Sequence, residues 1–256
     1  MIFIETSVQT DRILLESIEQ EQLEAHIESL SPHLYTSNYV WMEFQRTVVS
    51  DMAHVKHVML TQSGWGGLMR NLHTGQRAFR ARSASRCSTI AGHLYDYSHS
   101  EWAYALELCD AFLDEDLEIH FWTNVNPLSD PINCDLVAKG TTLQSDGRYN
   151  VADTCNKEHA TCHLPNFLRQ NADKLRAIHD YLNIHPHAIK DQARVQRLLE
   201  LILENPQAAL GQNSCWPLGD IIIALQVPDG ASVWTRDADF EPIAESLGLR
   251  LYTPSI

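Results

Sequence analysis

Positive charge is scarce in this chain. Among 256 residues, 19 are Lys or Arg against 33 Asp or Glu, a formal net charge of −14. That balance argues against a broadly basic surface of the kind that coats nucleic acid. Long hydrophobic runs are missing too, and nothing approaches the roughly 20 apolar residues of a membrane-spanning helix. Met1-Ile2-Phe3-Ile4-Glu5 has no basic region ahead of a long apolar stretch. The sequence therefore predicts no signal peptide and a cytoplasmic protein without membrane contact. Neither internal repeats nor low-complexity tracts occur. Six cysteines without a secretory leader fit a reducing compartment better than a disulfide framework. The remaining composition is that of a globular protein, with 44% hydrophobic residues in a length suited to one large domain or a domain with a big insertion.

Strands and helices alternate at both ends. Ile2-Phe3-Ile4 reads as a short buried strand ending in Glu5, Thr6 and Ser7. Thr10 or Asp11 can cap a helix running to about Leu30, where Ser31-Pro32 breaks it. Residues 33–37 read as a second strand, and a long helix from about Asn38 carries Glu43 early. An amphipathic helix over 98–114 follows, and then a strand over 117–123, where apolar residues alternate. A polar, turn-rich stretch over 124–153 precedes helices over 164–181 and 188–203. The final unit is helix 220–226, strand 232–235, helix 240–247, Gly248 as its stop, and strand 249–252. This order predicts a three-layer α/β/α fold with a mostly parallel central sheet. Residues 1–50 and 213–256 would form its core around a largely helical insertion, 51–212. The insertion comprises an Arg/Gly-rich segment (51–97), a helix–strand pair (98–123), a Cys/His-containing loop (124–165) and helices (166–205).

Four acids occupy comparable positions in that pattern. Glu5 ends the first strand, Glu43 lies in the first turns of a helix, Asp220 opens another, and Asp237 follows a strand. Singly, each has an ordinary explanation: an acid suits a helix start, and an acid in a loop is solvated. Brought together, like charges repel unless a cation neutralises them, and hard oxygen ligands suit Mg²⁺ or Mn²⁺.

The stretches Ile4-Glu5-Thr6-Ser7-Val8, Tyr35 to Phe44, Gly219-Asp220-Ile221-Ile222-Ile223-Ala224 and Val233-Trp234-Thr235-Arg236-Asp237-Ala238-Asp239-Phe240 resemble, in this order, the motifs of PIN-domain nucleases. The closing Leu247-Gly248-Leu249-Arg250-Leu251-Tyr252 agrees with that likeness, which covers residues 1–50 and 213–254. It implies a PIN-like domain with a large central insertion. It also implies hydrolysis of phosphodiester bonds, in RNA ahead of DNA, by a metal-activated water. Glu5, Glu43, Asp220 and Asp237 would then be catalytic metal ligands for Mg²⁺ or Mn²⁺, with Asp239 assisting. Thr6, Ser7 and Thr235 would orient a carboxylate or a metal-bound water. The family's usual first acid is aspartate, and Glu5 carries one methylene more. The alternative is therefore a catalytically weak or inactive nucleic-acid-binding or scaffold module of the same fold. An antitoxin-like or regulatory protein partner and an oligomer both stay open, and an enzyme acting on a small phosphorylated molecule ranks lower.

Two further features lie in the insertion. Between Asp51 and Asp96 there is no acid, while Lys56, Arg70, Arg77, Arg80, Arg82 and Arg86 bring a local charge of +6. With Trp65 and Phe79 interleaved, the five arginines read either as a nucleic-acid clamp or as partners for the abundant acids. The second feature is Cys155-Asn156-Lys157-Glu158-His159-Ala160-Thr161-Cys162-His163, with Cys134 upstream. Cys134, Cys155, His159, Cys162 and His163 make a candidate structural Zn²⁺ site in a segment short of apolar residues. The other reading is unliganded thiols and surface histidines. Cys87, Cys109 and Cys215 read as packing residues.

Overall fold

The structure, a computed structural model, describes residues 1–15, 17–74, 81–134, 136, 140–151, 155 and 162–254, with the backbone alone at 17, 81 and 82. Seven short strands occur among them: β1 (Ile2–Ile4), β2 (Leu34–Thr36), β3 (Asn126–Pro127), β4 (Thr141–Leu143), β5 (Tyr149–Val151), β6 (Ser232–Trp234) and β7 (Arg250–Leu251). Five form one sheet in the order β3-β2-β1-β6-β7, and every neighbouring pair is parallel. Phe3 stands opposite Tyr35 on one side and Val233 on the other. β4 and β5 make a separate antiparallel hairpin.

Side chains alternate along a strand, so the apolar strand residues divide between two faces. Ile4, Leu34 and Trp234 are buried with Val8, Leu23 and Ile27 from the helices Thr6–Leu14 and Ser17–Leu30. Phe3 and Val233 belong to a larger cluster with Val40, Ile222 and Phe240, from the helices Asn38–Phe44, Gly219–Gln226 and Phe240–Ser246. A parallel sheet must be covered on both faces, and here helices cover both. The α/β class follows. No helix among the described residues is long and apolar enough to cross a membrane.

Residues 117–123 do not form the strand that their alternation predicts. Leu117–Trp122 is helical and continues the helix Trp102–Ala111 through a π-helical turn, Phe112–Asp116. Leu117 and Phe121, one helical turn apart, are 2% and 1% exposed, whereas Ile119 is 58% exposed. A burial spacing of four has prevailed over the spacing of two that the residue types also allow. The edge strand comes just afterwards, and its two residues are too few to carry a pattern. β3 thus arises inside the segment 51–212. The larger apolar cluster likewise runs from Phe3 through Leu113 and Leu164 to Ile202. The segment read as an insertion supplies a strand and much of the core.

Buried Arg12 ties these parts together. Its Nε and Nη2 donate to Glu24 at 2.8 and 3.1 Å, while Nη1 and Nη2 reach the carbonyls of Phe121 and Thr123 at 3.3 and 3.2 Å. Burial opposes ionisation of Glu24, but hydrogen bonds from His120 and Arg12, and their charge, hold its carboxyl at about 2. Arg12→Met should lower stability by about 3 kcal/mol, because half-buried Glu24 keeps only His120 and the Thr123 carbonyl loses its Arg12 donor. Urea unfolding measures this, and a loss below about 1 kcal/mol would give the guanidinium no more weight than a surface ion pair.

Candidate metal centre

The sheet changes direction between β1 and β6: the chain leaves β1 towards β2 on one side and later lays β6 on the other. In open α/β sheets such a switch point leaves a crevice at the carboxyl ends of the strands, and ligands bind there. Glu5 follows β1 directly and Thr235 follows β6. Glu5 is also the N-cap of the helix Thr6–Leu14, so that helix starts earlier than Thr10 or Asp11. Its extended backbone, φ −92° and ψ 167°, lets the side chain turn back to accept from the Ser7 amide at 2.9 Å. Ser37 caps the helix Asn38–Phe44 in the same way, accepting from the Val40 amide at 3.3 Å, and Glu43 stands near that helix's end. Asp220 lies in the first turn of Gly219–Gln226.

These three elements bring Glu5, Glu43 and Asp220 together, with one carboxylate oxygen of each within 4.8 Å of the others. Hydroxyl groups hold Glu5 and Glu43 in place. Thr6 Oγ1 donates to Glu43 Oε2 at 3.1 Å, Thr235 Oγ1 donates to Glu5 Oε2 at 3.0 Å, and the Ser7 hydroxyl donates to the same Glu5 oxygen. The two hydroxyls bound to Glu5 accept in turn from the loop after β6. Arg236 N reaches Ser7 Oγ at 2.8 Å, and Asp237 N reaches Thr235 Oγ1 at 3.0 Å. Glu5 is thereby fixed to both sides of the crevice.

Electrostatics makes this cluster costly without a cation. Burial raises the Glu5 carboxyl above its ordinary value, against the opposing hydrogen bonds of Ser7 and Thr235. Burial also raises Glu43, to about 7, with Arg46 pulling it down and Glu5 and Asp237 pushing it up. Asp220 is raised well above the usual range by burial, then by Glu43 and Glu5. The donor set is all carboxylate oxygen, close-set and short of positive charge, and it suits a hard divalent cation. A pH effect of definite sign follows. Each folded-state pKa exceeds its unfolded value, so the cluster's stabilising share is complete below the ordinary carboxyl range and is lost as pH rises through the folded-state values, about 7 for Glu43. Cations compete with those protons, so the rise in melting temperature caused by Mn²⁺ should be larger near pH 8 than near pH 5.5. Scanning fluorimetry at the two pH values checks this, and an equal or reversed shift would contradict it.

Asp237 stands outside the group of three, although its charge acts on all of them. Its Oδ1 accepts from the Asp239 amide at 3.0 Å. Asp239 is paired with Lys190 at 3.5 Å. Two residues with no role assigned from the sequence belong to the site. Gly219 has ordinary helical torsions, φ −49° and ψ −56°. What it lacks is volume: a Cβ there would overlap the Glu43 carboxylate, with Cδ only 3.2 Å away. The pairing of a glycine with the acid was visible, but its reason lies in a helix far earlier in the chain. Arg46, in the π-helical turn Gln45–Val49, lays its guanidinium 3.9 Å from the Trp216 ring centre, and its positive charge opposes the rise at Glu43. Nothing but proximity to Glu43 could have singled it out.

The arginine segment fares differently. Arg70 is exposed on the helix Trp65–Thr74, and Arg86 is spent on Asp51 at 2.6 Å, beside Ser83. Arg77, Arg80 and Phe79 lie outside the described residues, as does the side chain of Arg82. Trp65 packs edge-on against Tyr95 and Trp102 and donates to the Ser100 carbonyl at 2.9 Å, which makes it a structural aromatic. Of the Cys/His set, Cys134, Cys155 and Cys162 line one small cavity, and Cys215 lines it with them. His163 is exposed and does not line it, and His159 lies outside the described residues.

Compared with known proteins, the chain matches no family model, no curated protein and no solved structure.

Proposed function

We propose that this protein is a divalent-metal-dependent nuclease of the PIN-like type, hydrolysing phosphodiester bonds in RNA ahead of DNA. The observation that carries the reading is the convergence of Glu5, Glu43 and Asp220 at the switch point of a parallel sheet. The ordered likeness of the four motif stretches to PIN-domain nucleases supports it, as does the strand order β3-β2-β1-β6-β7 around those motifs. Glu5, Glu43 and Asp220 would hold Mg²⁺ or Mn²⁺, with Asp237 adding charge beside them and Asp239 behind it. When bound, such a cation supplies a water of lowered pKa and neutralises charge on the phosphate.

The chain's own residues do the positioning. Ser7, Thr235 and Thr6 keep the Glu5 and Glu43 carboxylates from rotating away, so these two ligands are pre-set before a cation or substrate arrives. Glu5, with its additional methylene, is held by these bonds: its Oε2 accepts from the Ser7 amide, the Ser7 hydroxyl and Thr235. Acidic walls repel a polyanion, and among the described residues Arg46 beside Glu43, Arg236, held 3.0 Å from Asp11, and Lys190 beside Asp239 bring positive charge. They would meet the phosphates on either side of the cleaved bond. A cytoplasmic location suits both an RNA substrate and reduced thiols.

The test is cleavage of matched single-stranded RNA and DNA with Mg²⁺, with Mn²⁺ and with chelator. The proposal expects RNA cut faster than DNA and no cutting in chelator. No cleavage of either polymer with either metal would leave a nucleic-acid-binding module instead.

A further inference from the structure

Four of the six cysteines converge from separate parts of the chain. Cys134 sits ahead of residue 136, Cys155 and Cys162 flank residues outside the described set, and Cys215 ends the short helix Gln212–Cys215. Backbone hydrogen bonds bring them together in two pairs. Gln212 N donates to the Cys155 carbonyl at 3.2 Å, which fastens the Cys155 segment to the helix that ends in Cys215. His163 N donates to the Ile132 carbonyl at 2.7 Å, which fastens Cys162 beside the loop of Cys134. All four line one cavity of about 10 Å³. Random placement of structural cysteines gives no reason for four thiols from three loops and a helix to share a cavity that size.

We infer that Cys134, Cys155, Cys162 and Cys215 form a structural zinc site. Thiolates select soft or borderline metals, and four of them with no open position make the closed tetrahedral set of a structural zinc. A cavity of about 10 Å³ suits one ion and not an iron–sulphur cluster. The described residues place three ligand atoms within 4.8 Å only at the carboxylates, so zinc must draw the thiols inward as it binds. Each thiol gives its proton to solvent in that step, and no oxidant or reductant takes part. Arg46 also lines the cavity and offers positive charge to a tetrathiolate. Cys215 takes the place that the sequence assigned to a histidine.

The site has a purpose beyond holding a polar loop. Tyr39 Oη lies 3.2 Å from Cys215 Sγ, on the helix that also carries Glu43. Cys215 precedes Asp220 by little more than a helical turn. Zinc here would lock the loops to both helices that supply the acidic cluster. The inference does not rest on the nuclease reading, because it concerns other residues and a different metal.

The experiment is metal analysis of the full-length protein purified under reducing conditions without added metal. About one zinc per chain is expected, falling to about a tenth or less in Cys215→Ser and unchanged in His163→Ala. Where Cys215→Ser fails to fold, cobalt exchanged into the wild-type protein decides instead. Four thiolates give tetrahedral visible bands with a thiolate-to-cobalt charge-transfer band of four-sulphur intensity. Wild-type protein that takes up neither zinc nor cobalt, zinc retained by Cys215→Ser, or iron with acid-labile sulphide would each overturn the inference.

Discussion

Asp220→Asn should lower divalent-dependent cleavage by more than about 100-fold, the upper end of what losing a group outside the ligand shell costs. The substitution keeps shape and one oxygen but removes a charge on which the cluster depends for cation binding. The same change should not weaken the fold. Asp220 is held well above its usual pKa by burial and by the charges of Glu43 and Glu5, so its ionised form is a burden on the metal-free protein. Asn relieves that repulsion, and the variant should melt at the same temperature as the wild type or higher near neutral pH. A lower rate together with undiminished stability separates a ligand from a structural residue. Cleavage within about threefold of wild type would remove Asp220 from the chemistry.

Gly219→Ala should separate the two properties by a different route. Ala is a better helix former than Gly by about 1 kcal/mol, and Gly219 already has helical torsions, so propensity alone favours the variant. Space opposes it, because the new methyl would overlap the Glu43 carboxylate. That carboxylate is the far end of a flexible side chain and can swing aside, so the fold survives while Glu43 leaves its place. The expected outcome is a melting temperature equal to or above wild type, Mn²⁺ affinity reduced about 10- to 100-fold, and cleavage reduced to match. Fluorimetry, calorimetric Mn²⁺ titration and the cleavage assay together check it. Undiminished Mn²⁺ affinity would mean that Glu43 is not held where its neighbours suggest.

The outer shell of the site was legible in the sequence because its residues sit at the ends of elements with strong local patterns. Ile2-Phe3-Ile4 and Val233-Trp234 are β-forming runs, and the acids and hydroxyls just beyond them had to fall at the sheet's carboxyl edge. Asp220 was marked by a helix start, and Gly248, with φ +64°, by a helix end. What stayed hidden depends on separations that no local pattern encodes. β3 is two residues long, and residues 117–123 satisfy both a strand period and a helix period until Leu117 and Phe121 are seen buried together. Gly219's value is set by Glu43, and Cys215 looked like packing because its thiol neighbours lie in loops far along the chain. Arg86 stayed open between a phosphate clamp and an acid's partner because Asp51, the partner it has, marks the very edge of the acid-free window.

The central claim is that Glu5, Glu43 and Asp220 hold one divalent cation site. Anomalous diffraction from crystals soaked in Mn²⁺ tests it most directly. A peak bounded by carboxylate oxygens of all three residues, absent from Asp220→Asn crystals soaked alike, is the predicted result. Saturated crystals with no peak at the three carboxylates, or with Mn²⁺ held elsewhere on the chain alone, would contradict it.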